Sequence, residues 1–202
     1  MKETPEAEYG GAPMQCEATR LMLAAKNGDA RAFDRLVESL RGRAFHVACS
    51  LVGSRDDAME LTQEAFLKVY KARETFRDGE PFLPWFHRIL RNACYSFLRD
   101  RGKLRARSIS ARIPGADEDA ADLDLQDDEA TPLDSVESGE RAEIFWKAFR
   151  TLSGRDREIL SLRHFEELTH AEAATVLDIG EAAAAKRYVR ALKRLKDVLN
   201  AL

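Results

Sequence analysis

Apolar residues recur along the chain at i, i+3, i+4 and i+7, the spacing that lines one face of an α-helix. After Asp29, a residue suited to an N-cap, Phe33, Leu36, Val37 and Leu40 form such a stripe, and Ala44, Val47, Ala48 and Leu51 continue it. Val52-Gly53-Ser54 stops this helix. Ser54 is placed to cap the next one, with Asp56 and Asp57 favourable in its first turn. On Arg55–Ala72, at about 100° per residue, Leu61, Ala65, Ala58 and Val69 share about 80° of arc, while Phe66, Met59 and Tyr70 lie about 140–180° from Leu61. That apolar face is wider than the ~100° a surface helix needs. Either the domain's other helices cover the excess, or part of it serves a partner along an edge of Glu60, Gln63 and Glu64.

Gly79, Pro81 and Pro84 force a turn within Phe76–Trp85, and Pro84 suits the first position of a following helix. Phe82 and Trp85 sit at this corner, either as core or as platforms on which unpaired bases stack. From Trp85 to Arg101, Phe86, Leu90, Ala93 and Phe97 point one way. Arg88, Arg91, Asn92, Tyr95 and Arg99 fall about 140–240° from Phe86, with Asp100 as the nearby acid on the flank. A solvated face usually mixes signs, whereas guanidinium groups, an amide and an aromatic together suit phosphates and bases. Lys103, Arg105 and Arg107 extend the charge.

In the last third, Phe145, Ala148, Phe149 and Leu152 form another stripe, and Ser153-Gly-Arg-Asp156 offers a cap for a helix through Ile159, Leu162 and Phe165. Thr169-His-Ala-Glu172 has capping-box spacing and opens a short helix to Leu177. Asp178-Ile179-Gly180 breaks the chain before a long basic helix that starts at Glu181, which together read as a helix-turn-helix. Ala184, Tyr188, Ala191, Leu192, Leu195 and Leu199 share one side of that helix, and Lys186, Arg190, Lys193 and Arg194 the other. Ala182, Ala183 and Ala185 keep its start slim enough to enter a major groove.

Composition narrows the classes. The chain has 202 residues, and its longest uncharged run, Ala44–Ser54, is far shorter than the ~20 residues that cross a bilayer. The start has no apolar stretch of the secretory kind. Cys16, Cys49 and Cys94 form no Cys-x-x-Cys and are expected as reduced thiols. No nucleophile elbow, phosphate-binding glycine loop or metal-ligand spacing is present, so neither enzyme, cofactor nor metal is expected. A net charge of −3 argues against a nucleic-acid partner until it is divided: residues 1–20 carry −2, 21–102 carry +3, 103–139 carry −6 and 140–202 carry +2. The sequence therefore predicts an all-α protein of two small helical domains joined by a flexible acidic linker. Its parts are a flexible N-terminal segment at 1–19, a first domain at 20–102, the linker at 103–134 and a helix-turn-helix domain at 135–202.

Three stretches carry a resemblance. Asp57-Ala-Met-Glu-Leu-Thr-Gln-Glu-Ala-Phe-Leu-Lys-Val-Tyr70 resembles the core-polymerase-binding segment of bacterial sigma factors. Pro84-Trp-Phe-His-Arg-Ile-Leu-Arg-Asn92 resembles their promoter-melting and minus-ten helix. Leu152-Ser-Gly-Arg-Asp-Arg-Glu-Ile-Leu160, the following Leu162-Arg-His-Phe-Glu-Glu-Leu-Thr169 and Arg190-Ala-Leu-Lys-Arg-Leu195 resemble their minus-thirty-five domain. Two domains and a linker in this order are similar to the extracytoplasmic-function (ECF) subfamily of the sigma-70 family.

The resemblance implies a cytoplasmic, non-catalytic initiation factor that directs core RNA polymerase to promoters and assists melting. It implies that Asp57, Glu60, Leu61, Gln63, Glu64 and Phe66 meet the clamp helices of the largest polymerase subunit. The flap of the second-largest subunit is a further expected contact. The loop Gly79–Pro84 would hold a flipped base. Phe82, Trp85, Arg88, Arg91, Asn92, Tyr95 and Arg99 would serve melting and the minus-ten element, and Lys186, Arg187, Val189, Arg190, Lys193 and Arg194 the minus-thirty-five element. The subfamily also implies an anti-sigma partner, and no membrane association is expected. This chain departs from the family where Ala185 and Lys186 replace a basic and a small polar residue, and where Glu167 and Asp178 replace common glycines. The competing reading is a helix-turn-helix regulator that is not a polymerase subunit; it leaves the faces of Arg55–Ala72 and Arg88–Arg99 without a role.

Overall fold

A computed structural model describes residues 13–109 and 140–201, with side chains over 16–103 and 144–201. The described residues form eight α-helices: α1 (Pro13–Lys26), α2 (Ala30–Val52), α3 (Arg55–Ala72), α4 (Phe82–Ile109), α5 (Glu140–Arg150), α6 (Gly154–Leu160), α7 (His170–Leu177) and α8 (Glu181–Leu199). No strand occurs among them. The expected acidic linker lies largely outside the described residues.

The capping chemistry appears where the residue types place it. The Asp29 side chain accepts from the Ala32 amide, Ser54 from Asp57, and Ser153 from Asp156. Thr169 and Glu172 complete a reciprocal capping box, which satisfies two otherwise orphaned amides at the start of α7. Gly53 ends α2 at φ 76°, in the left-handed region that glycine enters without a Cβ clash. Glu167 and Asp178 adopt φ 55° and 56°. Both turns thus hold left-handed geometry with a residue other than glycine, at the steric cost that a side chain brings there.

Two boundaries differ from expectation. The segment expected to be flexible up to residue 19 is helical from Pro13, because Ala18, Leu21, Met22 and Ala25 follow helical spacing and are buried. The helix expected to run from Trp85 to Arg101 begins earlier, at Phe82, and extends to Ile109. Pro84 therefore lies in its first turn, where its missing amide costs nothing.

Helices α1–α4 share one core. Leu36 and Leu40 of α2, Leu61 and Val69 of α3, and Phe86 and Leu90 of α4 meet there, with Met22 of α1 fully enclosed. Phe82 is 0 % exposed. Its ring lies 5.8 Å from both Phe76 and Phe86 and 5.9 Å from Trp85. Helices α5–α8 enclose a second set in which Trp146, Phe149 and Phe165 pack within 6.0 Å of one another and Ile159, Leu162, Leu177, Ala184 and Ala191 fill the centre. Between α6 and α7 the chain widens into a π-helical turn at Ser161–Phe165 rather than a continuous α-helix. Phe82→Ala should cost about 3–5 kcal/mol, as expected for an enclosed aromatic ring. Urea unfolding measures this, and a near-neutral result would return Phe82 to the set of base-stacking residues.

Candidate functional site

The residues expected at the polymerase face divide between core and surface. On α3, Leu61 and Phe66 are buried at 4 % and 6 %, and Phe66 packs 4.9 Å from Phe86. They shape the helix from below. Asp57 is half-buried and ion-paired with Arg101 at 3.0 Å, which ties α3 to α4. Glu60, Gln63 and Glu64 are exposed, and Glu64 pairs with Lys68 at 2.6 Å. Sequence reasoning left out Leu67, which is exposed at 60 % beside Met59 at 53 % and Tyr70 at 43 %. The signal was available: at about 100° per residue Met59, Tyr70, Gln63, Leu67, Glu60 and Glu64 fall on one arc of about 140°. The excess width of the α3 apolar face is therefore partly core, through Phe66, and partly open surface.

On α4, Phe82 is core and Trp85 is half-buried against Phe76 at 5.2 Å. Asn92 and Arg99 are exposed, and Arg99 donates to the Ser96 hydroxyl. Arg88, Arg91 and Tyr95 face the second set of helices. Arg91 Nε donates to Glu158 Oε1 at 2.8 Å, and the Tyr95 hydroxyl donates to Glu158 Oε2 at 3.1 Å. Arg88 lies 3.7 Å from Asp178 in the helix-turn-helix turn.

A second buried carboxylate closes the same seam. Glu166, in the turn before α7, pairs with His87 at 2.9 Å and with Arg43 of α2 at 3.3 Å. Arg157 Nε also donates to the Ser50 carbonyl at 2.8 Å, and the Ser161 hydroxyl to the Ser50 hydroxyl at 3.1 Å. Sequence reasoning did not find Arg43, Ser50, His87, Glu158 or Glu166 as partners, because their meeting depends on domain docking and leaves no local pattern.

The two carboxylates respond oppositely to the same burial. Burial dominates for Glu158 and pushes its pKa above the ordinary value, against the pull of Arg91, Tyr95 and more distant Arg187. For Glu166, burial acts upward too, but the charges and hydrogen bonds of His87 and Arg43 outweigh it and hold the carboxyl below its ordinary 4.5. The Tyr95 hydroxyl is pushed up to about 12, first by burial and then by Glu158, so it remains a donor.

On α8, Lys186, Val189, Arg190 and Lys193 are exposed, with Val189 at 64 %. Arg187 is half-buried and its charge favours the ionised form of Glu158, and Arg194 pairs with Asp156 of α6. The chemistry offered is anion binding on an exposed helix, with an apolar group among the cations. Among the described residues no cluster of His, Cys, Asp and Glu suited to a metal ion occurs, and no helix is long and apolar enough to cross a membrane.

Because the Glu166 pKa is lowered on folding, its ionised form contributes stability that is complete above the ordinary value of 4.5 and is lost as pH falls through the lowered value. Glu166→Gln should therefore reduce stability at neutral pH by about 3 kcal/mol, the low end for breaking a buried pair, since the amide still hydrogen-bonds. It should also flatten the acid limb. Urea unfolding across the acid range checks this, and an unchanged acid limb would contradict the assigned pairing.

Comparison with known proteins agrees with this layout. Sigma-70 region 2 matches residues 36–104, and Sigma-70 region 4 matches residues 142–195. The RNA polymerase sigma-H factor of Pseudomonas aeruginosa is 30 % identical over 190 residues, covering 91 % of this chain and 94 % of that protein. The ECF RNA polymerase sigma-E factor of Haemophilus influenzae is 27 % identical over 183 residues, covering 88 % and 92 %. Among solved structures, the sigma factor RpoE of Bartonella quintana, in complex with the anti-sigma factor NepR, has a similar fold at TM-score 0.65 and 23 % identity, covering 85 % of this chain and 98 % of that one. CnrH, in complex with the cytosolic domain of CnrY, has TM-score 0.60 and 21 % identity, covering 92 % and 98 %. With region 2 on α2–α4, region 4 on α5–α8 and a relative matched over nearly its whole length, this chain belongs to the sigma-70 family as an ECF sigma factor, which directs core RNA polymerase to promoter DNA.

Proposed function

We propose that the three exposed faces divide the work of initiation. The outer face of α3, with Met59, Glu60, Gln63, Glu64, Leu67 and Tyr70, binds the clamp helices of the largest polymerase subunit. The reading rests on one observation above all: large apolar side chains stand exposed among polar ones on a helix whose other side is core. Helices α1–α4 form the polymerase and minus-ten unit. There Trp85, Arg88, Arg91, Asn92, Tyr95 and Arg99 support melting and hold the non-template strand. No covalent step is needed, since stacking on an aromatic returns ~1–3 kcal/mol per base against an unstacking cost of a few kcal/mol.

Helices α5–α8 form the minus-thirty-five unit, where Lys186, Arg187, Val189, Arg190, Lys193 and Arg194 anchor or read duplex DNA and the same unit reaches the flap of the second-largest subunit. The protein acts in the cytoplasm, where polymerase and promoter meet. We add an anti-sigma factor as a partner, on the strength of the similarly folded RpoE solved with one.

Run-off transcription with core polymerase on a genomic promoter library tests the role and returns the promoter motif together; no initiation by the reconstituted holoenzyme would refute it. Gln63→Ala combined with Leu67→Ala should weaken core binding about tenfold, the effect of losing about 1.4 kcal/mol, and leave folding unchanged. Arg190→Ala should weaken promoter binding and leave core affinity as it was. Core affinity read by fluorescence anisotropy and promoter affinity of the holoenzyme read by gel shift separate the two outcomes.

A further inference from the structure

We propose that helix α1 is the positioning element of the base-holding loop: Thr19 and Lys26 pin the two stems of the loop and leave its tip free, so that an unpaired base meets a loop already in shape. The pinning stands on geometry alone. Its use in promoter opening rests on the base-holding role given above to Gly79–Pro84.

Helix α1 carries none of the proposed polymerase or DNA contacts, yet one stripe of it faces the loop between α3 and α4. Thr19 and Lys26 are seven residues apart. At about 100° and 1.5 Å per residue they share one face and stand about 10 Å apart. Met22, between them, is fully buried. At one end of the stripe Lys26 Nζ donates to the Phe76 carbonyl and to Asp78 Oδ1, both at 2.7 Å. At the other end the Thr19 hydroxyl accepts from the Phe82 amide at 3.1 Å. That amide opens α4, where no carbonyl of the helix can reach it.

The two bonds of Lys26 differ in weight. The Asp78 side chain is 76 % exposed, so its ion pair alone holds little. The Lys26 side chain is 23 % exposed, and its ammonium reaches a main-chain carbonyl 50 residues along the chain. It therefore fixes backbone. Phe76 is the residue whose ring packs 5.2 Å from Trp85 and 5.8 Å from Phe82, so holding its carbonyl also sets the stacking platform.

Between the anchors the tip is closed by its own turn, the Glu80 amide donating to the Arg77 carbonyl at 3.3 Å. Gly79 lies there at φ 89°, with open space around the place a Cβ would take. The tip can shift to admit a base while the stems stay in place. A loop ordered beforehand does not charge its ordering to the binding step. An apolar side chain at position 26 would fill the same space on α1 without fixing the carbonyl, which separates positioning from packing.

The test uses the full chain with Lys26→Met, Lys26→Arg and Thr19→Val. Hydrogen–deuterium exchange read by mass spectrometry should be faster over 77–83 in Lys26→Met and Thr19→Val, with the rest of α1–α4 as in wild type. Lys26→Arg, which keeps the charge and the donors, should restore protection. In holoenzyme on the promoter returned by the run-off library, 2-aminopurine fluorescence in the minus-ten strand should show opening about fivefold weaker for Lys26→Met, the order expected when a loop must be ordered on binding. Lys26→Arg should open near the wild-type level, and core affinity should be the same in all. Unchanged loop exchange would deny the pinning, and faster exchange throughout α1–α4 with a loss of core affinity would reduce it to packing; either result overturns the proposal. Trp85→Ala in the same assay separates this proposal from the reading beneath it. Normal opening by Lys26→Met where Trp85→Ala fails would overturn the positioning role and leave the base-holding loop in place. Normal opening by both would overturn the base-holding reading and the use of the clamp with it.

Discussion

Two carboxylates taken out of water hold the structure in its observed form. Glu158 and Glu166 come from the helical turns between Ser153 and Thr169, and each pairs with a cation of another element. A buried charge without a partner is costly by several kcal/mol, whereas a paired and hydrogen-bonded one is tolerated. Their partners are on α2 and α4, across the seam. That pairing, together with the apolar packing around it, joins α6 and the turn before α7 to α2 and α4. The opposite pKa displacements express the balance. Arg91 and Tyr95 do not fully offset the burial of Glu158, while His87 and Arg43 more than offset that of Glu166.

Within each domain the organisation is conventional hydrophobic packing. Aromatic residues are concentrated where the helices converge: Phe66, Phe76, Phe82, Trp85 and Phe86 at one corner, and Trp146, Phe149 and Phe165 at another. The first cluster supports the turn before α4, so the loop that is proposed to hold an unpaired base stands on a rigid base of rings. That is the arrangement a binding loop requires, since its geometry must be maintained before the ligand arrives. The helix-turn-helix has a different constraint. Asp178 holds a left-handed conformation between α7 and α8 and also approaches Arg88, so one turn residue serves both the local fold and the seam.

The legible part of this protein is the part governed by short range. Caps at Asp29, Ser54, Ser153 and Thr169 depend on a side chain reaching an amide three residues on, and each was placed from the sequence. The helix-turn-helix followed from a capping box, a break at Asp178–Gly180 and a basic helix. Helix α1 was missed altogether although Ala18, Leu21, Met22 and Ala25 have helical spacing, because four apolar positions beside polar residues make a weak periodic signal. Phe66 and Phe82 were assigned to binding faces because a ring looks the same in sequence whether it stacks on a base or on another phenylalanine. Burial separates the two cases, and burial belongs to the whole domain.

The chain by itself determined seven of the eight described helices, their order, their apolar stripes and the charged faces of α3, α4 and α8, since each depends on periodicity or on neighbours within one or two turns. Only the tertiary structure decided which half of the α3 face is core and which is surface, and that Glu158 and Glu166 meet Arg91, Tyr95, His87 and Arg43. Those pairs join residues 63 to 123 positions apart. A contact at that separation has no period to reveal it. It is selected by the cost of leaving two carboxylates buried without a cation.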